Sequence, residues 1–415
     1  MKTSHRSPGR SRHAGLQPAS AARAQEPLSR ELLLLLAGLA ALGALATNII
    51  LPALPAIGAD VGASVAQLGA TLGSFFLAFA LGQLVVGPLS DRFGRRPLVL
   101  AGVLVFVAGS ALCAAAATLP QLVCGRVIQA LGVCATAVLS RAIARDLFDG
   151  AALARALSLI MVAMAAAPGF SPLLGTAITR WLGWRATFAL VALLALLLAV
   201  HYLLRLGETH AADRRGALSF AATARTYRQL LRDRRFIAPA LSASLVIGAL
   251  YAFFAMAPAI LMAGFGFSPL ELGCLFAATV FVVFGAGLMA PRLAQRWGLA
   301  RAARAGLALA LASGIALLAG PAQAGFFCAA LTGFLLGMGL VNPLATACAL
   351  QPFGAQAGAA SALLGFLQMG CAAAAVFLGA ALDGSAQAAL GLILCTSLTL
   401  ALGIFVLRGP APAAH

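Results

Sequence analysis

Apolar and polar positions along this chain segregate into long blocks rather than alternating within short segments. Two apolar blocks, at residues 31–205 and 237–408, are separated by an arginine-rich polar stretch at 206–236. The blocks span 175 and 172 residues, and such similar lengths suggest an internal duplication. Since a membrane-crossing helix requires about 20 mainly apolar residues, each block accommodates about six helices with their turns. The pattern therefore predicts twelve membrane spans in two pseudo-symmetric six-helix halves, an all-α polytopic membrane protein.

Turn signals place the individual spans within the two blocks. The spans of the first block are predicted at 32–57, 66–88, 98–117, 121–144, 155–178 and 184–205. Those of the second block are predicted at 237–263, 269–291, 300–320, 324–350, 357–381 and 386–407. The polar and basic residues 1–30 are expected to form a disordered tail, 206–236 a basic linker and 409–415 a C-terminal tail.

The distribution of basic residues gives an independent test of the span count. With both termini in the cytoplasm, 25 of the 28 lysine and arginine residues fall in segments on the cytoplasmic side. Arg180 and Arg185 fall on the opposite side, and Arg126 falls within a span. Because short cytoplasmic loops are enriched in Lys and Arg, this split supports twelve spans with cytoplasmic termini.

Composition excludes most other classes of protein. The chain is 62% hydrophobic and only 9% charged, with a mean hydropathy of +0.99, whereas soluble domains are about 25% charged. The net charge of +17 is assigned to contact with anionic lipid, and no nucleic-acid partner is expected. All eight cysteines fall in predicted spans without a Cys-x-x-Cys pair, so no metal site is expected either.

The loop after the second predicted span carries the most informative motif. It reads Gly87-Pro-Leu-Ser-Asp91-Arg92-Phe-Gly94-Arg95-Arg96. Gly87 is expected to let two helices approach closely, and Asp91 to cap a helix or pair with an arginine. The three arginines would hold the loop at the anionic cytoplasmic surface.

This motif resembles the signature between the second and third helices of the major facilitator superfamily. Other similar stretches are Arg126-Val-Ile-Gln129-Ala-Leu-Gly132, Ala167-Pro168-Gly-Phe-Ser-Pro172-Leu-Leu-Gly175, Leu51-Pro-Ala-Leu-Pro55 and Arg145-Asp146. Residues 76–97 resemble the Bcr/CflA drug-resistance subfamily, which includes exporters of bicyclomycin and chloramphenicol. The resemblance implies two halves that rock about a central site, and drug export in exchange for protons. It also implies that the loop after span 2, the Arg145-Asp146 pair and the Pro168, Pro172 and Gly175 motif serve conformational gating.

Arg126 is the fixed charge within a predicted span. An ionisable residue inside a membrane is costly and indicates function by default. In the resembled family this arginine is implicated in proton coupling and the response to substrate, and Gln129 follows it by one helical turn. The alternative is that Arg126 snorkels to the lipid headgroups from near the outer end of the span.

Asn48 stands where the resembled subfamily usually has an aspartate in span 1. An amide cannot exchange a proton near neutral pH, and none of the eleven acidic residues is predicted at mid-membrane depth. Proton coupling could run through Asp60, if span 1 extends that far, or through Asp91 and Asp146. The alternative is a transporter of a drug or small metabolite without proton coupling.

The predicted central cavity is sparse in charge. Its candidate lining residues are Asn48, Phe75, Phe79, Gln129, Tyr251, Phe254, Asn342 and Gln368. They describe an apolar pocket with few polar groups. Such a pocket suits small, uncharged or weakly polar drugs and disfavours strongly cationic ones.

The sequence therefore predicts a multidrug efflux transporter in the inner membrane of a bacterium. The expected partners are drug substrates, protons and lipid, with the proton gradient as energy source, no cofactor and a monomeric state. An intramembrane enzyme would need a nucleophile, an acid pair or a metal cluster at membrane depth, and it is disfavoured because the predicted spans contain no carboxylate and one histidine. A receptor is disfavoured because no soluble signalling domain is evident.

Overall fold

The computed structural model describes residues 29–211, 213, 215 and 220–408 of the chain. Within these residues, twelve helices are long and apolar enough to cross a membrane, which confirms the predicted number of spans. The predicted tails, residues 1–30 and 409–415, lie outside the described residues except for Ser29 and Arg30.

The first half is built from seven helices. They are α1 (Arg30–Asn48), α2 (Leu54–Val61), α3 (Val65–Phe93), α4 (Arg95–Ala114), α5 (Leu119–Leu147), α6 (Gly150–Leu182) and α7 (Arg185–Arg205). A short 3-10 turn, Leu51–Ala53, joins α1 to α2, and the two helices together form the first span. Pro52 and Pro55 lie at this break because proline cannot donate the backbone hydrogen bond of a continuous helix.

The second half follows the connector. The connector, between α7 and α9, contains α8 (Phe220–Arg232). The second half contains α9 (Arg234–Ala257), α10 (Pro269–Trp297), α11 (Leu299–Ala319), α12 (Ala324–Leu350), α13 (Ala357–Ala381) and α14 (Ala386–Arg408). The end of α9 continues into a π-helical segment, Pro258–Gly264, and α12 continues into a 3-10 segment, Gln351–Gln356. The shorter α8 lies in the connector, and its Tyr227 hydroxyl donates a hydrogen bond to the carbonyl of Leu84 at 3.2 Å.

Several helices run beyond the predicted spans. Helix α6 begins at Gly150 rather than 155, and α5 continues to Leu147 rather than 144. The stretches between the predicted spans, 89–97 and 145–154, are therefore mostly helical, since helical hydrogen bonding continues where hydropathy falls. Asp91, Arg141 and Arg145 consequently lie on helices.

The two halves meet through equivalent helices. Helix α3 packs on α13, and α6 packs on α10, so each half contributes its second and fifth span. We call the end of the bundle where α3, α5 and α7 finish the arginine-rich end, and the opposite end the far end. At the far end the hydroxyl of Thr176 on α6 donates a hydrogen bond to the carbonyl of Pro269 on α10 at 3.1 Å.

Candidate functional site

A cavity of about 250 Å³ lies between the two halves. It is lined by α5 and α6 of the first half and by α9, α10, α12 and α13 of the second. Most of its surface is apolar and deformable, because four flexible methionine side chains contribute to it. These are Met161, Met164, Met338 and Met369.

The structure brings four of the predicted binding residues together in this central cavity. Tyr251 and Phe254 supply aromatic surface, while Asn342 and Gln368 supply the amide groups. The side-chain oxygen of Asn342 is buried and has no hydrogen-bond partner among the described residues. The amide oxygen is therefore free to accept a hydrogen bond from a molecule in the cavity.

Arg141 also lines the central cavity, and sequence reasoning missed it. It was counted among the cytoplasmic arginines, although it lies inside the predicted span 121–144, and α5 continues past it to Leu147. The signal that could have found it is this position, three residues before the predicted end of the span. The lining of the cavity therefore includes a positively charged side chain, and none of the lining residues is acidic.

Arg126 belongs to a separate buried cluster in the first half. Its guanidinium is fully buried and donates hydrogen bonds to the side-chain oxygen of Gln129 at 2.5 Å and to the carbonyl of Ala46 at 3.2 Å. The amide of Gln129 in turn donates to the hydroxyl of Ser110 at 2.8 Å. The guanidinium carbon lies 4.2 Å from the centre of the Phe75 ring, in cation–π contact. The alternative of snorkelling to the headgroups is therefore wrong.

Asn48 ends α1 close to this cluster. Its amide nitrogen donates to the carbonyl of Ala44 at 2.8 Å, and its side-chain oxygen is buried without a partner among the described residues. Two guanidinium nitrogens of Arg126, Nε and Nη2, are also buried without partners there. The first half thus retains unused donors and an unused acceptor in its interior.

The prediction that all eight candidate residues line one cavity is wrong. Asn48, Gln129, Phe75 and Phe79 are absent from the lining of the central cavity. Phe75 is turned toward Arg126, and Phe79 stacks against Phe75 at 6.2 Å between ring centres. Helical periodicity places these side chains inside the first half rather than between the halves.

A network of charges joins three helices at the arginine-rich end. The guanidinium of Arg95 donates to Asp91 at 2.6 Å, to the hydroxyl of Ser90 at 2.5 Å and to Asp146 at 3.0 Å. The predicted pairing of Asp91 with an arginine is thus present. Arg95 ties the ends of α3 and α5 to the start of α4.

Glu208, in the connector after α7, completes this network. Its carboxylate accepts hydrogen bonds from the backbone N–H groups of Arg95 at 2.8 Å and Arg96 at 3.2 Å. Burial opposes its ionisation, but hydrogen bonds from the backbone of His210, Arg95 and Arg96 and the charge of Arg215 hold its pKa below the ordinary value. The negative charge of a carboxylate at this position is also stabilised by the positive N-terminal end of the α4 helix dipole. Sequence reasoning missed Glu208 because no local pattern links it to a helix start more than 100 residues earlier.

The glycines of the loop motif have different roles from those expected. Gly94 has φ +95° and ψ 165°, and a Cβ atom there would collide with the carboxylate of Glu208. Gly87, by contrast, has open space around its Cβ position, so the prediction that it permits close helix packing is wrong. It lines a second cavity of about 410 Å³ at the arginine-rich end, which we call the mouth cavity.

The remaining gating candidates of this region lie around the mouth cavity. Asp91, Arg95, Arg145 and Asp146 line it, together with Arg141. Arg92 and Arg96 are exposed at the same end of the bundle. The prediction that all three arginines of the loop face the membrane surface is wrong for Arg95, which is buried and paired with Asp91 and Asp146; for Arg92 and Arg96 it stays a prediction.

Helix α6 carries the proline and glycine motif. It continues through Pro168 and Pro172 from Gly150 to Leu182, and Pro168 lines the central cavity. Gly175 packs against the backbone carbonyl of Ile49, in the same half of the protein. Gly175 faces α1 because it lies on a different side of α6 from the residues that meet α10.

On α6, the glycine that meets the other half is Gly169. A Cβ atom at this position would collide with the side chain of Val280 and lie 3.1 Å from the carbonyl oxygen of Phe276, both on α10. Close approach of α6 and α10 therefore requires a residue without a side chain.

Asp60 lies at the far end on α2, so the first span extends past its predicted end at 57 and includes this acid. Its carboxylate pairs with Arg185 at 2.6 Å and accepts a hydrogen bond from the Trp184 indole at 2.8 Å. Asp60 is thus held away from both cavities, and it adds no acid to the central cavity.

Comparison with known proteins agrees with this architecture. The family model described as Major Facilitator Superfamily matches residues 36–376. The MFS-type transporter YdgK of Bacillus subtilis is 31% identical over 342 residues, covering 81% of this chain and 85% of that protein. Multidrug resistance protein D of Escherichia coli is 27% identical, covering 88% of this chain and 92% of that protein. The bicyclomycin resistance protein homolog of Haemophilus influenzae is 28% identical, covering 76% of this chain and 80% of that protein.

A solved structure shares the same fold. A bacterial homologue of the lysosomal transporter Spinster, in an inward-facing and unoccupied conformation, superposes with a TM-score of 0.69 at 17% identity. The alignment covers 92% of this chain and 96% of that structure. The named relatives are transporters or resistance proteins rather than enzymes, and they include the Bcr type that the motifs resemble.

Proposed function

The chain belongs to the major facilitator superfamily, in its Bcr/CflA drug-efflux branch, and from this premise we propose that it exports small, largely apolar drugs. The observation that carries the proposal is the central cavity, which is closed in by both halves and lined by methionine and aromatic side chains. Methionine surfaces repack around ligands of different shape, which favours a broad range of substrates. The resistance proteins among its relatives support this substrate class.

Alternating access is the mechanism that we propose for this export. The halves meet at the far end through the Thr176–Pro269 hydrogen bond and the contact of Gly169 with α10. At the other end the mouth cavity separates them, and Arg141 lines both this cavity and the central one. A substrate would enter through the mouth cavity and leave once the far end opens.

We place the arginine-rich end at the cytoplasmic face of a bacterial inner membrane. Its basic residues would contact anionic lipid there, as the positive-inside rule expects. The transporter would work as a monomer without a cofactor, since each half of the single chain supplies part of the cavity.

Two forms of the proposal differ in the energy source that drives transport. Drug:proton antiport, driven by the proton gradient, is the form implied by the family. Transport of a drug or metabolite without proton coupling is favoured by Asn48, which has an amide in place of the usual span 1 acid. The lining of the central cavity supports the second form as well, because it contains no acidic residue or histidine.

A single assay separates these forms. Inverted membrane vesicles are given a pH gradient, and neutral, anionic and cationic drugs are added while drug uptake and the gradient are both followed. Antiport predicts that an accumulated drug collapses the gradient, whereas the uncoupled form predicts uptake with the gradient unchanged. Asn48→Asp, which restores an acid at the end of α1, is expected to make uptake more dependent on the gradient. If no drug is taken up faster by vesicles that contain the folded protein than by vesicles without it, drug export is wrong.

A further inference from the structure

Arg141 is a cation without a counter-ion at the centre of the molecule. It lines the central cavity and the mouth cavity, and the polar contact that its guanidinium makes is with the sulfur of Met164 at 4.0 Å. Among the described residues no carboxylate pairs with it. The two aspartates that line the mouth cavity, Asp91 and Asp146, are both bound by Arg95.

An arginine in this environment has more hydrogen-bond donors than its neighbours can accept from. Guanidinium carries five N–H groups and cannot be deprotonated in proteins, while a thioether sulfur is only a weak acceptor. A half-buried charge without a partner is costly unless an acceptor comes to it. The acceptor that fits the planar group best is a carboxylate or a similar anion, bound through two parallel hydrogen bonds.

The surroundings of Arg141 set the rest of the ligand's chemistry. Met161 and Met164 on α6 and the rings of Tyr251 and Phe254 on α9 form apolar walls. They suit an aromatic or aliphatic body next to the anionic group. The unpartnered side-chain oxygen of Asn342 could in addition accept a hydrogen bond from that body.

We propose that Arg141 determines the charge preference of the central cavity, selecting amphipathic substrates that carry a carboxylate or another anionic acceptor. This inference rests on the proposed function and narrows it, because a purely apolar cavity would favour neutral drugs over anionic ones, whose desolvation is costly. Arg126 cannot play this part, since it is enclosed in the first half and absent from the cavity lining.

Three probes that differ only in their terminal group test the proposal. Dansylglycine carries a carboxylate, dansylglycinamide a neutral amide and dansyl-ethylenediamine an ammonium group. Binding to the purified full-length protein at neutral pH is followed by the rise in dansyl emission. We expect the carboxylate to bind about tenfold more tightly than the amide, as a charge-assisted pair should, and the ammonium to bind most weakly.

Variants assign the preference to one side chain. Arg141→Gln is expected to abolish the advantage of the carboxylate while leaving the affinity for the neutral amide within about twofold, which also shows that the variant is folded. Arg141→Lys is expected to keep part of the advantage, because it retains the charge but not the planar fork. Arg301→Gln, an exposed arginine on α11, is the matched control and should bind all three probes as the parent does.

The outcomes separate this inference from the proposed function. The proposed role of Arg141 is wrong if the parent protein does not prefer the carboxylate probe, or if Arg141→Gln keeps that preference. This holds even when the protein transports the amide probe into vesicles. If the carboxylate binds through Arg141 but no probe crosses the membrane, the anion site stands and drug export is wrong. If none of the three probes binds, the inference is overturned.

Discussion

The carboxylate of Glu208 accepts a hydrogen bond from the backbone N–H of Arg95, 113 positions earlier in the chain, at 2.8 Å. The side chain of the same arginine binds Asp91 and Asp146. One residue thus uses its backbone to hold the connector and its side chain to hold the ends of α3 and α5. We call this arrangement the clasp, formed by Asp91, Arg95, Asp146 and Glu208.

Replacing Glu208 by Gln should weaken the clasp in a pH-dependent way. The pKa of Glu208 is lowered in the folded protein, so its ionised form stabilises the fold. That stability is present above the ordinary glutamate pKa of about 4.3 and is lost as the pH falls through the lowered native value. We expect the parent to unfold at a higher temperature than Glu208→Gln at about pH 7, with the difference reduced at about pH 3. An equal difference at both pH values would show that the charge of Glu208 does not stabilise the fold.

Gly94→Ala is expected to be strongly destabilising. The backbone at Gly94 lies in a region that is essentially restricted to glycine, which costs other residues about 1–3 kcal/mol, and the new methyl group would displace Glu208. Thermal unfolding of the purified variant measures the loss. Gly87→Ala is the control on the same motif, because its Cβ position is open and alanine favours a helix. Equal stability of the two variants would contradict the assigned role of Gly94.

Arg126→Gln is expected to reduce transport while leaving the protein folded. Removing hydrogen bonds from a charged, buried donor costs about 1.5–3 kcal/mol, which corresponds to about 10- to 100-fold in the rate of a step that depends on them. Initial rates of drug uptake in vesicles measure the effect. Arg180→Gln, exposed at the far end, should transport at the parental rate. Parental transport by Arg126→Gln would show that the buried cluster is only structural.

Gly169→Ala should hold the two halves apart at the far end. The added methyl group would meet the side chain of Val280, which belongs to α10. We expect a cysteine introduced at Thr176 to react faster with a membrane-impermeant maleimide in this variant, because the contact with Pro269 is loosened. The double variant Gly169→Ala/Val280→Ala removes the clash and should restore slow labelling. Fast labelling in both variants would mean that another contact closes the far end.

The number of spans could be predicted because it depends on local properties. A stretch of about 20 apolar residues has few alternatives to a membrane helix, and the positions of the arginines supplied a second constraint. Tyr251, Phe254, Asn342 and Gln368 were placed in the cavity correctly as polar or aromatic residues of the spans, but the same reasoning also placed Asn48, Gln129, Phe75 and Phe79 there, which is wrong.

The rest of the site depends on contacts that local pattern does not encode. Arg141 was misassigned because it lies near the end of its predicted span and was counted with the cytoplasmic arginines, whereas α5 continues to Leu147 and Arg141 lines the central cavity. Gly169 and Gly175 were not distinguished because their partners depend on how α6 is rotated between α1 and α10. Glu208 acts on α4 only after six spans have packed. These contacts are tertiary, so they can be identified only when the whole fold is known.

The clasp has a consequence for the order in which the chain is made. Every one of its four residues has been synthesised before the first residue of α9 leaves the ribosome. The first half therefore contains all the groups needed to lock its own arginine-rich end, without help from the second half. Nascent transporter can reach this stage as a closed six-span unit, on which the later helices then assemble.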